Sequence, residues 1–137
     1  MARRARTLTP SALAAFTRLH TAVGALNKVD VSTSFGNPTF RVKGKAFAVI
    51  DRYRETDCLW ILVAASERRE LLKRAGWFPS PYDRKKTALC CSLDMFDWRR
   101  LRTLLRSSYQ LAQPKATVAA SPKTAQATVR SRRIRRL

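Results

Sequence analysis

Residues 35–50 read FGNPTFRVKGKAFAVI. Two short β-like runs, residues 40–42 and 45–50, flank Lys43-Gly44. Val, Ile and Phe fit the pleated, half-buried surface of a sheet. A Lys-Gly link between two such runs reads as a tight hairpin turn, with Gly44 supplying a positive φ. Just upstream, Gly36-Asn37-Pro38 reads as a break in the chain. Arg41, Lys43 and Lys45 alternate through the hairpin. The two-residue period of a strand predicts that they project to one face, with Phe40, Val42 and Ala46 on the other.

Toward the N-terminus, Thr9 suits a helix N-cap and Pro10 the first helical position, and Leu8 is placed to staple onto Leu13. Leu13, Phe16, Leu19 and Val23 share one face, and Gly24 ends the helix. Residues 25–37 read as a loop or weak strand. Toward the C-terminus, residues 51–57 read as a polar connection. Residues 58–63 are apolar at every position, as in a central strand covered on both faces. Ser66 is expected to cap a second helix that Gly76 terminates. Residues 77–82 read as a stiff aromatic connector and residues 83–86 as a basic turn. Residues 87–93 read as a strand with Leu89, Cys91 and Leu93 on one face. Asp94 and Asp97 then form a capping box for a last helix. Its buried stripe is Trp98, Leu101, Leu105 and Tyr109, with Arg99, Arg100, Arg102 and Arg106 largely opposite.

The order α-β-β-β-α-β-α predicts an α+β fold: an antiparallel sheet with helices packed on one face and the other face partly open. Three segments follow: a basic arm (1–8), a folded body (9–112) and a basic tail (113–137). The tail contains no aromatic residue and only isolated Val, Ile and Leu. It buries too little apolar surface to offset the entropy of ordering, which predicts disorder.

The 137 residues include 28 Lys and Arg against 9 Asp and Glu, a formal net charge of +19. The arm and the tail lack acids altogether, yet the body is also basic. This balance excludes an acidic metal-storage surface or a receptor for basic peptides. It fits a polyanion, with nucleic acid first and an anionic membrane surface second. The longest apolar run, residues 59–65, is a strand's length and too short to span a membrane. No secretory signal is visible, and an Arg-rich, acid-poor start that resembles a transit peptide runs into what reads as the first helix of the fold. An odd count of three cysteines argues for buried thiols in a reducing compartment. Cys58, Cys90, Cys91 and His20 lack zinc-site spacing, so no metal is expected. No Gly-rich phosphate loop or nucleophile–base arrangement is present, so neither a cofactor nor an enzymatic activity is expected.

Three segments resemble the MmcQ/YjbR family. The hairpin resembles the family signature hPaFrVrGKkFa at Pro38, Phe40, Arg41, Val42, Gly44, Lys45, Phe47 and Ala48. SERRELLKR (66–74) resembles the helix after its third strand, and LDMFDWRRLRTLLRSSYQLA (93–112) its closing segment. The resemblance covers residues 9–112. It implies a frataxin-type (CyaY-like) sandwich, a double-wing mode of DNA binding and a bacterial cytoplasmic protein, with nucleoid association consistent with that setting. Two departures stand out. Thr87-Ala88 replaces the usual Gly-Trp pair, and residues 9–23 contain no carboxylate of the kind with which frataxins bind iron.

The expected function is electrostatic, largely sequence-independent binding of double-stranded DNA. Arg41, Lys43, Lys45, Arg84, Lys85 and Lys86 form the wings, and Arg130, Arg132, Arg133, Arg135 and Arg136 in the tail extend the contact. The alternative is a protein-interaction module without a nucleic-acid role. The sequence does not define the oligomeric state.

Overall fold

The computed structural model describes residues 7–81, 83 and 85–113. The arm, the tail beyond Gln113, Tyr82 and Arg84 lie outside the described residues.

Helix α1 spans Pro10–Val23, with Pro10 at its start and Thr9 as N-cap accepting from the Ala12 N–H at 3.1 Å. Ala12, Ala15, Leu19 and Val23 are buried and Phe16 packs beside them, whereas Leu13 is 54% exposed. Leu19 and Val23 thus face inward as expected, while in the first turns Ala12 and Ala15 take the inward positions and Leu13 faces out. Two alanines let the helix sit close to the sheet.

Six strands follow: β1 (Val29–Ser34), β2 (Asn37–Val42), β3 (Lys45–Tyr53), β4 (Thr56–Leu62), β5 (Trp77–Pro79) and β6 (Ala88–Ser92). Helix α2 (Ala65–Leu72) links β4 to β5, and a 3₁₀ turn (Trp98–Arg100) leads into α3 (Leu101–Ala112). The sheet order is β1-β2-β3-β4-β6-β5, with every neighbouring pair antiparallel. Both α1 and α3 pack against β3 and β4, and α2 packs against β5. The fold is therefore α+β, as expected, with two strands more than the sequence reading supplied.

Those two are the edges, β1 and β5. Residues 35–37 are not a simple break: Phe35 and Gly36 make a hairpin turn at φ 53° and 85°, and Asn37 and Pro38 already belong to β2. Residues 77–79 of the expected aromatic connector are a strand. The polar connection at 51–57 is another hairpin, turning on Arg54 and Glu55 at φ 50° and 64°. Neither turn residue is glycine, so each pays the steric cost of left-handed backbone. Glu55→Gly is expected to raise stability by roughly 0.5–1 kcal/mol, read as a higher denaturant midpoint at unchanged slope.

Two caps also differ. Ser66 lies inside α2, whose N-cap is Ala64 with no side-chain bond. Asp97 alone caps the 3₁₀ turn, accepting from the Arg99 N–H at 3.2 Å, while Asp94 sits in the preceding turn. Gly76 follows the end of α2 at φ 89°, and a Cβ there would lie 2.5 Å from the Met95 Cβ, so the close approach as well as the conformation requires glycine.

A β-bulge in the β2–β3 pairing shifts the register between Phe40 and Arg41. It leaves Phe47 without a partner of its own in the ladder and fully buried, edge-on to Tyr109 of α3. The carbonyl freed there accepts from the Ser108 hydroxyl at 2.5 Å, and that hydroxyl accepts from the Leu62 N–H at 3.0 Å. One buried hydroxyl thus ties α3 to two strands.

Candidate nucleic-acid interface

The register fixes which loops share an end of the sheet. Lys43-Gly44 joins the C-terminal end of β2 to the start of β3. Ala48 pairs with Ile61, so β4 finishes beside the start of β3. Leu62 pairs with Ala88, and the Val63 N–H donates to the Thr87 carbonyl at 3.0 Å. The loop preceding β6 therefore lies at the same end as Lys43-Gly44, termed the upper end. Ser108 bonds Leu62, and the Tyr109 hydroxyl donates to the Asn27 carbonyl at 2.6 Å, so α3 also finishes there. The chain leaves the body toward its basic tail from this end.

Lys43, Lys45, Lys85 and Lys86 are all exposed at the upper end, and none has a carboxylate within 4 Å among the described residues. Asp83 does not neutralise them. It accepts from the Ala88 N–H at 2.7 Å and the Thr87 hydroxyl at 3.1 Å, and among the described residues its nearest cation is Arg68 at 3.9 Å. Arg68 also donates to the Ala88 carbonyl at 2.9 Å. This carboxylate and guanidinium shape the loop and leave the lysines outward.

The predicted one-face alternation in the hairpin is corrected by the register. Val42 pairs with Lys45 and Arg41 with Ala46. Lys45 therefore shares a side with Val42, Arg41 and Ala46 take the opposite side, and Lys43 is in the turn itself at φ 49°. A tight turn reverses the chain, so strand parity does not carry across it. The half-buried Arg41 donates to the Gly44 carbonyl at 3.3 Å, bracing the turn. Arg84, Arg130, Arg132, Arg133, Arg135 and Arg136 lie outside the described residues.

One cation was missed. Lys28 precedes Val29, which pairs with Val42, so continuing the register sets Lys28 beside Lys43. Its signal was the Val29/Val31 alternation of β1, which the sequence reading left open between a loop and a weak strand. Lys28, Lys43 and Lys86 all hold positive φ, at 57°, 49° and 57°. Lysine is disfavoured in that conformation, where Asn or Gly is easier. Several carboxylates gather at the opposite, lower end, whereas Asp30 lies across from Arg41 near the upper end. Asp51 and Asp57 flank the Arg54-Glu55 turn, and the Leu93 N–H donates to the Asp57 carbonyl, bringing Asp94 and Asp97 to the same lower end. Arg52 pairs there with Asp57 at 3.3 Å. Arg99 holds the Asp97 carboxyl below its ordinary range through a side-chain hydrogen bond.

The three thiols are free and buried, and no cluster of metal-ligating side chains occurs among the described residues. Trp60, Trp77 and Trp98 pack against the core. The Cys58 thiol is pushed above its ordinary range by a hydrogen bond with Cys90 and then by burial. Burial, then the neighbouring Cys90, pushes Cys91 from 9.0 up to about 12. A folded-state value raised in this way stabilises fully below the unfolded value and is lost as pH rises through the folded one. Stability is therefore expected to fall from about pH 9 toward pH 12, with a shallower fall in Cys91→Ala, measured as denaturant midpoints across that window.

A family model described as YjbR matches residues 24–111, most of the body. The chain belongs to the YjbR family. The match begins after α1, at the glycine that caps it. No curated protein matches the chain. Among solved structures, the YjbR body is similar to Deinococcus radiodurans protein DR2400, which carries a DUF419 domain. The TM-score is 0.63 at 23% identity, covering 74% of this chain and 80% of that one. It is also similar to a protein from Pseudomonas syringae at a TM-score of 0.57 and 15% identity, covering 71% and 97%. At these identities the likeness speaks for the fold. No helix among the described residues is long and apolar enough to cross a membrane.

Proposed function

We propose that this YjbR domain binds double-stranded DNA electrostatically and without base specificity, as a cytoplasmic, non-enzymatic protein. The observation that carries the reading is the shared upper end: two lysine-bearing tips, unpaired with carboxylates, at one edge of a rigid sheet. Strands lie about 4.8 Å apart, so the β2–β3 turn and the start of β6 are roughly 12 Å apart across the sheet. That span matches the about 12 Å width of a major groove, whose flanking phosphates two tips can meet together, a double-wing arrangement. Phosphate contacts by flexible ammonium groups carry no sequence information, hence the lack of base specificity. The tail arginines, tethered at the same end, add further phosphate contacts.

Gel retardation of a random duplex tests the reading, comparing the whole chain with one truncated after Gln113. Retardation by both is expected, weaker for the truncated chain. Retardation by the whole chain alone makes the tail the binder and the fold its carrier. Retardation by neither favours the protein-interaction module.

A further inference from the structure

The helical layer carries a second cationic arrangement, well apart from the lysine tips in sequence and chemistry. A groove of about 360 Å³ opens between α1 and α3, lined by Thr17, Arg18 and Thr21 on one side and Trp98, Arg99 and Arg102 on the other. Neither helix contains an Asp or Glu. Arg99 is engaged by Asp97 at 3.2 Å, but Arg18 and Arg102 have no carboxylate within 4 Å among the described residues. The Arg18 guanidinium lies over the Trp98 ring, 5.0 Å from its centre. The Thr17 hydroxyl is spent on the Leu13 carbonyl at 3.1 Å, whereas that of Thr21 has no partner among the described residues and remains available to donate.

We propose that this groove is a binding site for a phosphomonoester group, carried by a free mononucleotide or by the 5′ end of a nucleic-acid strand. The two guanidiniums without a carboxylate match the charge of a dianion, and their fork geometry suits phosphate oxygens. Stacking on Trp98 orients Arg18 before any ligand arrives, which lowers the ordering cost of binding. A hydroxyl donor one helical turn from Thr17 complements a ligand that only accepts. The volume falls within the range of small-ligand sites. The groove is lined by α1, the 3₁₀ turn and α3, none of which carries the lysine tips. The inference uses none of those lysines and does not depend on the duplex reading.

Calorimetric titration of the full chain with AMP tests it, beside Arg18→Gln and Arg102→Gln. Both side chains are exposed, and circular dichroism verifies that the variants fold. AMP binding is expected, weakened about tenfold or more by each substitution. Tryptophan emission is expected to change on addition of AMP, and Trp98→Phe to abolish that change. Two oligonucleotides differing only in a 5′-phosphate or 5′-hydroxyl distinguish the sources. A 5′-phosphate increment larger than the affinity for AMP, lost in both arginine variants, supports a strand end. An increment no larger than the affinity for AMP, also lost in both, supports a free nucleotide. Absence of AMP binding, or equal affinity in the wild type and both variants, overturns the site, the latter because general positive charge then accounts for the binding.

Discussion

Ser108→Ala is expected to lower stability by about 2–4 kcal/mol, the largest effect of any single hydroxyl in the described body. The Ser108 hydroxyl is fully buried, donating to the Phe47 carbonyl and accepting from the Leu62 N–H. Removing it leaves a donor and an acceptor without that partner in the interior, each costing about 1–3 kcal/mol. For a body of this size, 1 kcal/mol shifts the melting temperature by about 4–8 °C, so a fall of roughly 10–30 °C is expected. Ser107, its half-exposed neighbour, is the control: Ser107→Ala should stay within about 0.5 kcal/mol. Thermal melts of the three chains decide the matter. Equal melting temperatures for Ser108→Ala and the wild type refute the view that this hydroxyl ties α3 to the bulged strand.

Ser108 also shows where the sequence stops being legible. Ser108 falls on the same helical face as Leu101 and Leu105, but nothing in the sequence shows what a hydroxyl on that face would bond. Its role exists only because the bulge at Phe47 frees a carbonyl directly beneath it, and a bulge leaves no periodic trace in a short strand. The central strands were legible for the opposite reason. β3, β4 and β6 are buried on one or both faces, so their apolar runs and the Lys43-Gly44 turn carry the signal. The edge strands bury less and therefore say less. β1 reads VDVSTS with four exposed positions, and β5 is only Trp77–Pro79. Their pairing comes from neighbours that the local sequence does not reveal.

The same contrast holds at the upper end. Residue types placed Lys43, Lys85 and Lys86 in turns and Lys45 at the start of a strand, because Gly44 and the charge run mark them. Their gathering at one edge depends on β6 inserting between β4 and β5, a non-local pairing. Arg41 was misjudged because strand parity was extended through a turn. Arg18 went unremarked because its significance lies in Trp98, eighty residues away in sequence and in contact in space.

A chain carrying Lys43→Gly, Lys86→Gly, Lys45→Gln and Lys85→Gln is expected to lose about 10³-fold in affinity for random duplex at about 0.1 M salt. With about 8 phosphates neutralised by the wild type, the slope of log K against log salt is expected near −7, and losing four contacts brings it to about −3.6. The choice of glycine separates binding from folding. Lys43 and Lys86 hold positive φ, so glycine relieves steric cost at both, and the variant should fold at least as stably as the wild type. A loss of binding without a loss of melting temperature then belongs to the missing ammonium groups and not to a damaged sheet. Lys→Arg at the same four positions keeps the charge and should keep the slope. If the neutral variant binds with the wild-type slope, the tips do not meet phosphates. The proposal must then move to the tail, where truncation after Gln113 already measures the remainder.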